Sequence, residues 1–78
     1  MRKSRHTKQY ERLLSALREA RLSASLTQTQ VAAKFGAHAS FVSKIESGER
    51  RIDVIELADF CRIYGKTLPA FLEQIELS

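Results

Sequence analysis

The stretch TQTQVAAKFGAHASFVSKIESG, residues 27 to 48, limits the possible folds of this chain more than any other. It holds two short apolar-periodic runs joined at one glycine, Gly36, and nothing in it alternates in the way a strand does. Thr27 stands at an N-cap position, and Gln30, three residues on, completes a capping-box pattern, so a helix starts there. That helix carries Val31, Ala32 and Phe35 and closes at Gly36, because glycine takes the left-handed conformation of a helix end at no steric cost. The second run starts near His38 or Ala39 and ends at Ser47-Gly48. At about 100° per residue, Phe41, Val42 and Ile45 share one side, while Ala39, Ser40, Ser43, Lys44 and Ser47 share the other. The outer face is therefore small, polar and basic, with Glu46 turned toward the core edge.

The same reasoning predicts three more helices. Tyr10, Leu13, Leu14, Leu17, Ala20 and Ala24 fall on one face of a helix over roughly residues 7 to 23, behind a basic arm, MRKSRHT, at residues 1 to 7. Asp53 and Glu56 form a second capping pattern for a helix over about 53 to 64, ended by Gly65. Thr67 opens the last helix, where Pro69 is tolerated in the first turn and Leu68, Phe71, Leu72 and Ile75 make an apolar stripe. No stretch reads as a strand, so the expected fold is all-α, a five-helix bundle over residues 8 to 78. In the fourth helix Leu57, Ala58, Cys61 and Tyr64, with Val54, account for the core side. Ile55 and Ile63 fall among Glu56, Asp59 and Arg62. Those two isoleucines read either as isolated surface apolars or as part of a homodimer interface with Phe71, Ile75 and Leu77.

Charge narrows the functional classes. The net charge is +4, yet residues 1 to 51 carry +7 and residues 52 to 78 carry −3. Such segregation suits a protein that presents one end to a polyanion and uses the other for a different contact. No apolar run approaches the ~20 residues of a membrane span, and the basic N-terminus lacks the apolar segment of a secretory signal. A cytoplasmic, nucleoid-associated protein with no membrane partner is expected. The single cysteine, Cys61, cannot make an internal disulfide and sits in a helical apolar pattern, which reads as core. No Cys/His cluster has metal-ligand spacing, and no nucleophile–base motif or glycine-rich phosphate loop is present. Neither a cofactor nor an enzymatic activity is expected.

Two short helices joined by a glycine-bearing turn, the second with a polar, lysine-bearing outer face, form a helix-turn-helix signature. The segment LTQTQVAAKFGAHASFVSKIESGER resembles the helix-turn-helix family of phage repressors and Cro proteins, with its Leu-Thr-Gln opening, Phe-Val-Ser core and Ile-Glu-x-Gly ending. LREAR in the first helix and ELADFCRIYG in the fourth extend the resemblance over roughly residues 10 to 72. It implies the five-helix fold of the lambda repressor and a recognition helix over the second run, lying in the major groove of double-stranded DNA. Ser25 departs from a common glycine, Ile52 from a frequent proline, and Lys66 from a usual apolar residue.

Under that resemblance Ala39, Ser40, Ser43 and Lys44 are the base-reading candidates: Lys44 toward guanine O6 or N7, the serines toward donors or acceptors, and the Ala39 methyl toward a thymine methyl. Thr27, Gln28, His38, Ser47, Arg50 and Arg51 are the backbone candidates, Gln28 matching the family's phosphate-binding glutamine. Arg21 and Glu46 are implied to be a structural ion pair between the first and third helices. The recognition face lacks the Gln, Asn or Arg of strong bidentate readout, which shifts specificity toward Lys44, the arm and DNA shape. The expected protein is a minimal homodimeric regulator of a phage, mobile element or restriction-modification system, 78 residues leaving no room for a sensor domain. A second reading, an antitoxin-like or adaptor protein, takes the acidic half as a surface for a protein partner.

Overall fold

The computed structural model describes residues 7–75. It contains five helices and, among the described residues, no strand: α1 (Lys8–Ser23), α2 (Gln28–Lys34), α3 (Ala39–Glu46), α4 (Val54–Ile63) and α5 (Leu68–Gln74). All five expected helices are present. Each begins on a residue whose side chain accepts a hydrogen bond from the first turn: Thr7, Thr27, His38, Asp53 and Thr67. Full capping boxes form at Thr27/Gln30 and Asp53/Glu56. A cap of this kind stabilises by about 1 kcal/mol, which matters for helices of seven or eight residues that are too short to persist alone. Thr7, read from the sequence as the end of the arm, is the α1 cap and accepts from the Tyr10 N–H at 3.1 Å. The rest of the arm lies outside the described residues.

The helix ends follow one rule with one exception. Gly36, Gly48 and Gly65 follow α2, α3 and α4, all with positive φ, and Ser25 takes the equivalent place after α1 with φ 59°. Around Ser25 the Leu26 N–H donates to Arg21 O at 3.2 Å and the Ser25 N–H to Leu22 O at 3.0 Å, the bonding of a Schellman cap. Ser25 thus carries the backbone strain that the family's glycine avoids. Gly48 has a further constraint, since a Cβ there would lie 3.2 Å from Leu14 Cδ1.

The core is built from one face of every helix. Phe60, Phe71, Leu17, Ile45, Val31, Val42 and Cys61 are its largest fully buried side chains. Phe60 of α4 is the hub of an aromatic cluster, with ring centroids 4.7 Å from Phe35, 6.2 Å from Phe41 and 6.0 Å from Tyr64. It ties the α2–α3 unit to α4. Cys61 is a core residue, and burial pushes its thiol pKa up, away from the reactive thiolate. Tyr10 is buried as well, and its hydroxyl accepts from the Ile52 N–H at 3.2 Å. A proline at position 52 has no N–H to give, so the departure at Ile52 supplies a bond that joins α1 to the loop before α4.

Three expectations for α4 and α5 are corrected here. Phe71 and Ile75, expected to face a second copy, are only 1% and 5% exposed, because a seven-residue helix has a single apolar stripe and the monomer core takes it. Val54, expected inside, is 62% exposed: it occupies the first position of α4, and the buried stripe runs through Leu57, Phe60 and Cys61. Ile63 packs half-buried against the core and offers little to a partner. Ile55 is 70% exposed, and Leu77 lies outside the described residues.

Candidate nucleic-acid interface

The rotation of α3 about its axis is set by what it buries. Val31 and Ala32 of α2 meet Val42 and Ile45 of α3 in the interior, all four fully buried. With that face inward, Ser40, Lys44 and Ser47 are exposed and Ala39 and Ser43 half-buried on the opposite side. The five residues singled out from the sequence therefore share one outward face. The His38 Nδ1 accepts from the Ser40 N–H at 3.3 Å and closes the first turn of the helix. Ser43 Oγ donates to Ser40 O at 3.2 Å, and Ser47 Oγ donates to Lys44 O at 3.1 Å. Both hydroxyl protons are thereby engaged, which leaves these serines to act outward as acceptors. The Lys44 ammonium makes no hydrogen bond or ion pair among the described residues and is free to meet an acceptor.

Beneath this face lies the network that fixes its angle. Arg21 Nε donates to Glu46 Oε2 at 2.7 Å and Arg21 Nη2 to Glu46 Oε1 at 3.1 Å, a bidentate pair between α1 and α3. The third nitrogen, Nη1, donates to Leu26 O in the α1–α2 loop at 2.9 Å. Gln28 Nε2 at the start of α2 adds a bond to Glu46 Oε1 at 3.0 Å. One carboxylate is thus held from two helices. The two side chains are 10% and 7% exposed, and the hydrogen bonds to Glu46 raise the Arg21 pKa further. Gln28 was expected to contact a phosphate. Its amide nitrogen has one N–H on Glu46 and a second available, so the residue can brace α3 and meet a phosphate together. Tyr64 lies near this network with its hydroxyl buried and without a hydrogen-bond partner among the described residues, and burial drives its pKa upward.

The basic loop after α3 is more structured than its sequence implied. Arg50, expected at a phosphate, has both terminal nitrogens on Glu56 at 3.0 Å and its guanidinium 5.0 Å above the Phe41 ring. Nη1 also donates to Arg51 O at 3.1 Å. The group is a brace between the loop and α4, and a phosphate would have to compete with a bidentate carboxylate. Arg50 in turn holds the Glu56 carboxyl below its ordinary pKa. Arg51 lies 4.8 Å above the Tyr10 ring, a stacking that leaves its edge open to a phosphate. Thr27 is occupied as a cap but remains exposed beside Gln28.

One cation on this side was missed from the sequence. Arg18 of α1 lines a cleft with Arg21, Gln28, Ser43, Glu46 and Ser47. Its position three residues before Arg21 on the same helix is the signal that would have found it.

A family model described as Helix-turn-helix matches residues 17–71. Among solved structures, the chain is similar to an XRE-family like protein from Pseudomonas syringae pv. tomato str. DC3000, with 49% identity over 91% of this chain and 87% of that one, and a TM-score of 0.85. No curated protein matches the chain.

Proposed function

The chain belongs to the XRE and lambda-repressor-like helix-turn-helix family of DNA-binding transcription regulators, which are not enzymes, and from that premise we propose that it is a homodimeric repressor of a two-fold symmetric operator. The observation that carries the reading is the outward face of α3: a free lysine among small side chains, on a helix held from two neighbours. Small residues let the helix backbone approach base edges closely in the major groove. Lys44 donates to guanine O6 or N7, Ser40 and Ser43 accept from base amines, and the Ala39 methyl packs on a thymine methyl. Gln28, His38 and Arg51, with Thr27 beside them, contact phosphates and set the register, whereas Ser47, expected at a phosphate, has its hydroxyl proton on Lys44 O and faces outward as an acceptor.

One helix of eight residues buries too little surface for tight specific binding. Two copies whose recognition helices lie about 34 Å apart read two half-sites on one face of the duplex. Val54 and Ile55, 62% and 70% exposed in the first turn of α4, are the apolar pair we assign to contact between copies. Ile55→Glu then halves the mass seen in sedimentation and weakens operator binding indirectly. An unchanged mass would remove this interface.

The test of base reading is Lys44→Ala. It relaxes preference at one base pair, at a cost of about 1–3 kcal/mol, and leaves the other positions intact. An equal loss on every sequence would make Lys44 a phosphate contact. The exposed pair on α4 also favours a second reading, an adaptor whose main partner is a protein, which predicts salt-sensitive DNA binding with no preferred site.

A further inference from the structure

We infer that the cleft between α1 and α3 seats one phosphate of the bound duplex, with Arg18 as its cation and Gln28 as its second donor. The inference rests on the DNA-binding reading of α3 and adds to it a contact from a helix outside the α2–α3 unit. Six side chains line the cleft: Arg18, Arg21, Gln28, Ser43, Glu46 and Ser47. Their charges do not cancel. Arg21 and Glu46 neutralise one another at 2.7 Å, which leaves Arg18 uncompensated and the cleft with a net charge of +1.

Donor capacity points the same way. Ser43 and Ser47 give their hydroxyl protons to carbonyls within α3, and all three nitrogens of Arg21 are already bonded. What remains for a ligand is the exposed Arg18 guanidinium, which has no partner among the described residues, the second N–H of Gln28, and one further N–H on each terminal nitrogen of the buried Arg21. These are donors on a wall of net positive charge, and they suit an anion; the acceptors that share the wall are the Ser43 and Ser47 oxygens and the carboxylate of Glu46, which Arg21 and Gln28 already hold. Its volume, about 270 Å³, admits a phosphate group together with a few waters of about 30 Å³ each.

Position supplies the rest. Ser43 and Ser47 belong to the outer face of α3 and also to the wall of the cleft, so the cleft opens at the lip of the surface that would enter the groove. The sugar-phosphate backbone runs along that lip when a helix lies in the major groove. Arg18 stands three residues before Arg21 on α1, and the pairing of Arg21 with Glu46 relieves the repulsion between the two cations. The ion pair that orients α3 thereby also permits a second arginine beside it.

Arg18→Gln tests this in the full chain, with binding measured on the selected operator and on a scrambled duplex across salt concentrations. The salt slope falls by about 0.9, the affinity for both duplexes falls about eightfold at 0.1 M salt, and the ranking of base substitutions stays as in the wild type. Arg18→Lys keeps the slope. Arg62→Gln, which removes the same charge from α4, leaves the slope close to that of the wild type. Replacing single operator phosphates by uncharged methylphosphonates locates the contact: one position weakens the wild type and costs Arg18→Gln nothing further. A wild-type slope in Arg18→Gln, or a loss in Arg62→Gln as large, overturns the seat while leaving the reading of α3 intact. A wild-type protein that binds no duplex removes both.

Discussion

Replacing Arg21 by methionine removes the guanidinium while keeping most of the aliphatic stem, and its cost follows from three broken bonds. Glu46, whose side chain is 7% exposed, keeps only the Gln28 amide as a partner, and Leu26 O loses its donor. Breaking a buried ion pair from one side costs about 3–5 kcal/mol, because the remaining charge is left desolvated. A domain of 78 residues at ~0.05–0.15 kcal/mol per residue holds about 4–12 kcal/mol in total. Arg21→Met therefore removes a large share of it, and the thermal midpoint falls by about 12 °C or more. Urea unfolding followed by far-ultraviolet circular dichroism measures the loss. The double variant Arg21→Met with Glu46→Leu recovers most of the stability, since two apolar groups need no partner. It still binds operator more weakly, because the angle of α3 is no longer set by a bidentate contact. A loss under about 1 kcal/mol for Arg21→Met would place the pair in the class of solvated surface bridges and refute the assigned role.

Three further outcomes follow from particular residues. Ser25→Gly removes left-handed strain of about 1–2 kcal/mol, partly offset by the freer unfolded chain, so the midpoint of unfolding rises by the equivalent of about 0.5–1 kcal/mol; a fall would contradict the strain at φ 59°. Tyr64→Phe deletes a buried hydroxyl that has no hydrogen-bond partner among the described residues and leaves stability equal or higher by up to about 1 kcal/mol; a clear loss in urea unfolding would reveal a bond to that oxygen. The Glu56 carboxyl is held below its ordinary pKa chiefly by Arg50, so its contribution is fully present above the unfolded carboxylate range and drains away as pH falls through the lower folded value. Glu56→Gln flattens the acid limb of stability against pH, and a limb as steep as the wild type's would show that other carboxylates set it.

The helices were legible because their signals are local. Thr27 with Gln30 and Asp53 with Glu56 announce two helix starts within four residues each, and both boxes form as expected. Thr7 is less legible: it caps α1, but Tyr10 occupies the position where a capping box has Glu or Gln, and the basic residues before it read as arm. The outward face of α3 was also legible, since periodicity alone separates Val42 and Ile45 from Ser40 and Lys44. Periodicity could not say whether the stripe of α5 meets its own core or another copy, because an apolar face reads the same in either case. An outward reading of Phe71 and Ile75 arises from that ambiguity, and no local pattern marks Phe60 as the hub of the aromatic cluster. Contacts across the fold leave no periodic trace at all. Arg50 lies on Glu56 and Phe41, Arg51 on Tyr10, and Arg12 Nε on Ile75 O at 3.4 Å, each joining segments whose approach depends on the whole bundle. The Arg21–Glu46 pair, 25 positions apart in sequence, is implied by the family resemblance and by no local signal.

The central claim is that the outer face of α3 reads sequence, and selection from a random duplex library with the purified protein tests it most directly. The account predicts enrichment of an inverted repeat whose half-site centres lie one helical turn apart, with a preference at one base pair per half-site that Lys44→Ala erases. Recovery of unenriched DNA, held only at low salt and equally by the Lys44→Ala variant, would contradict it.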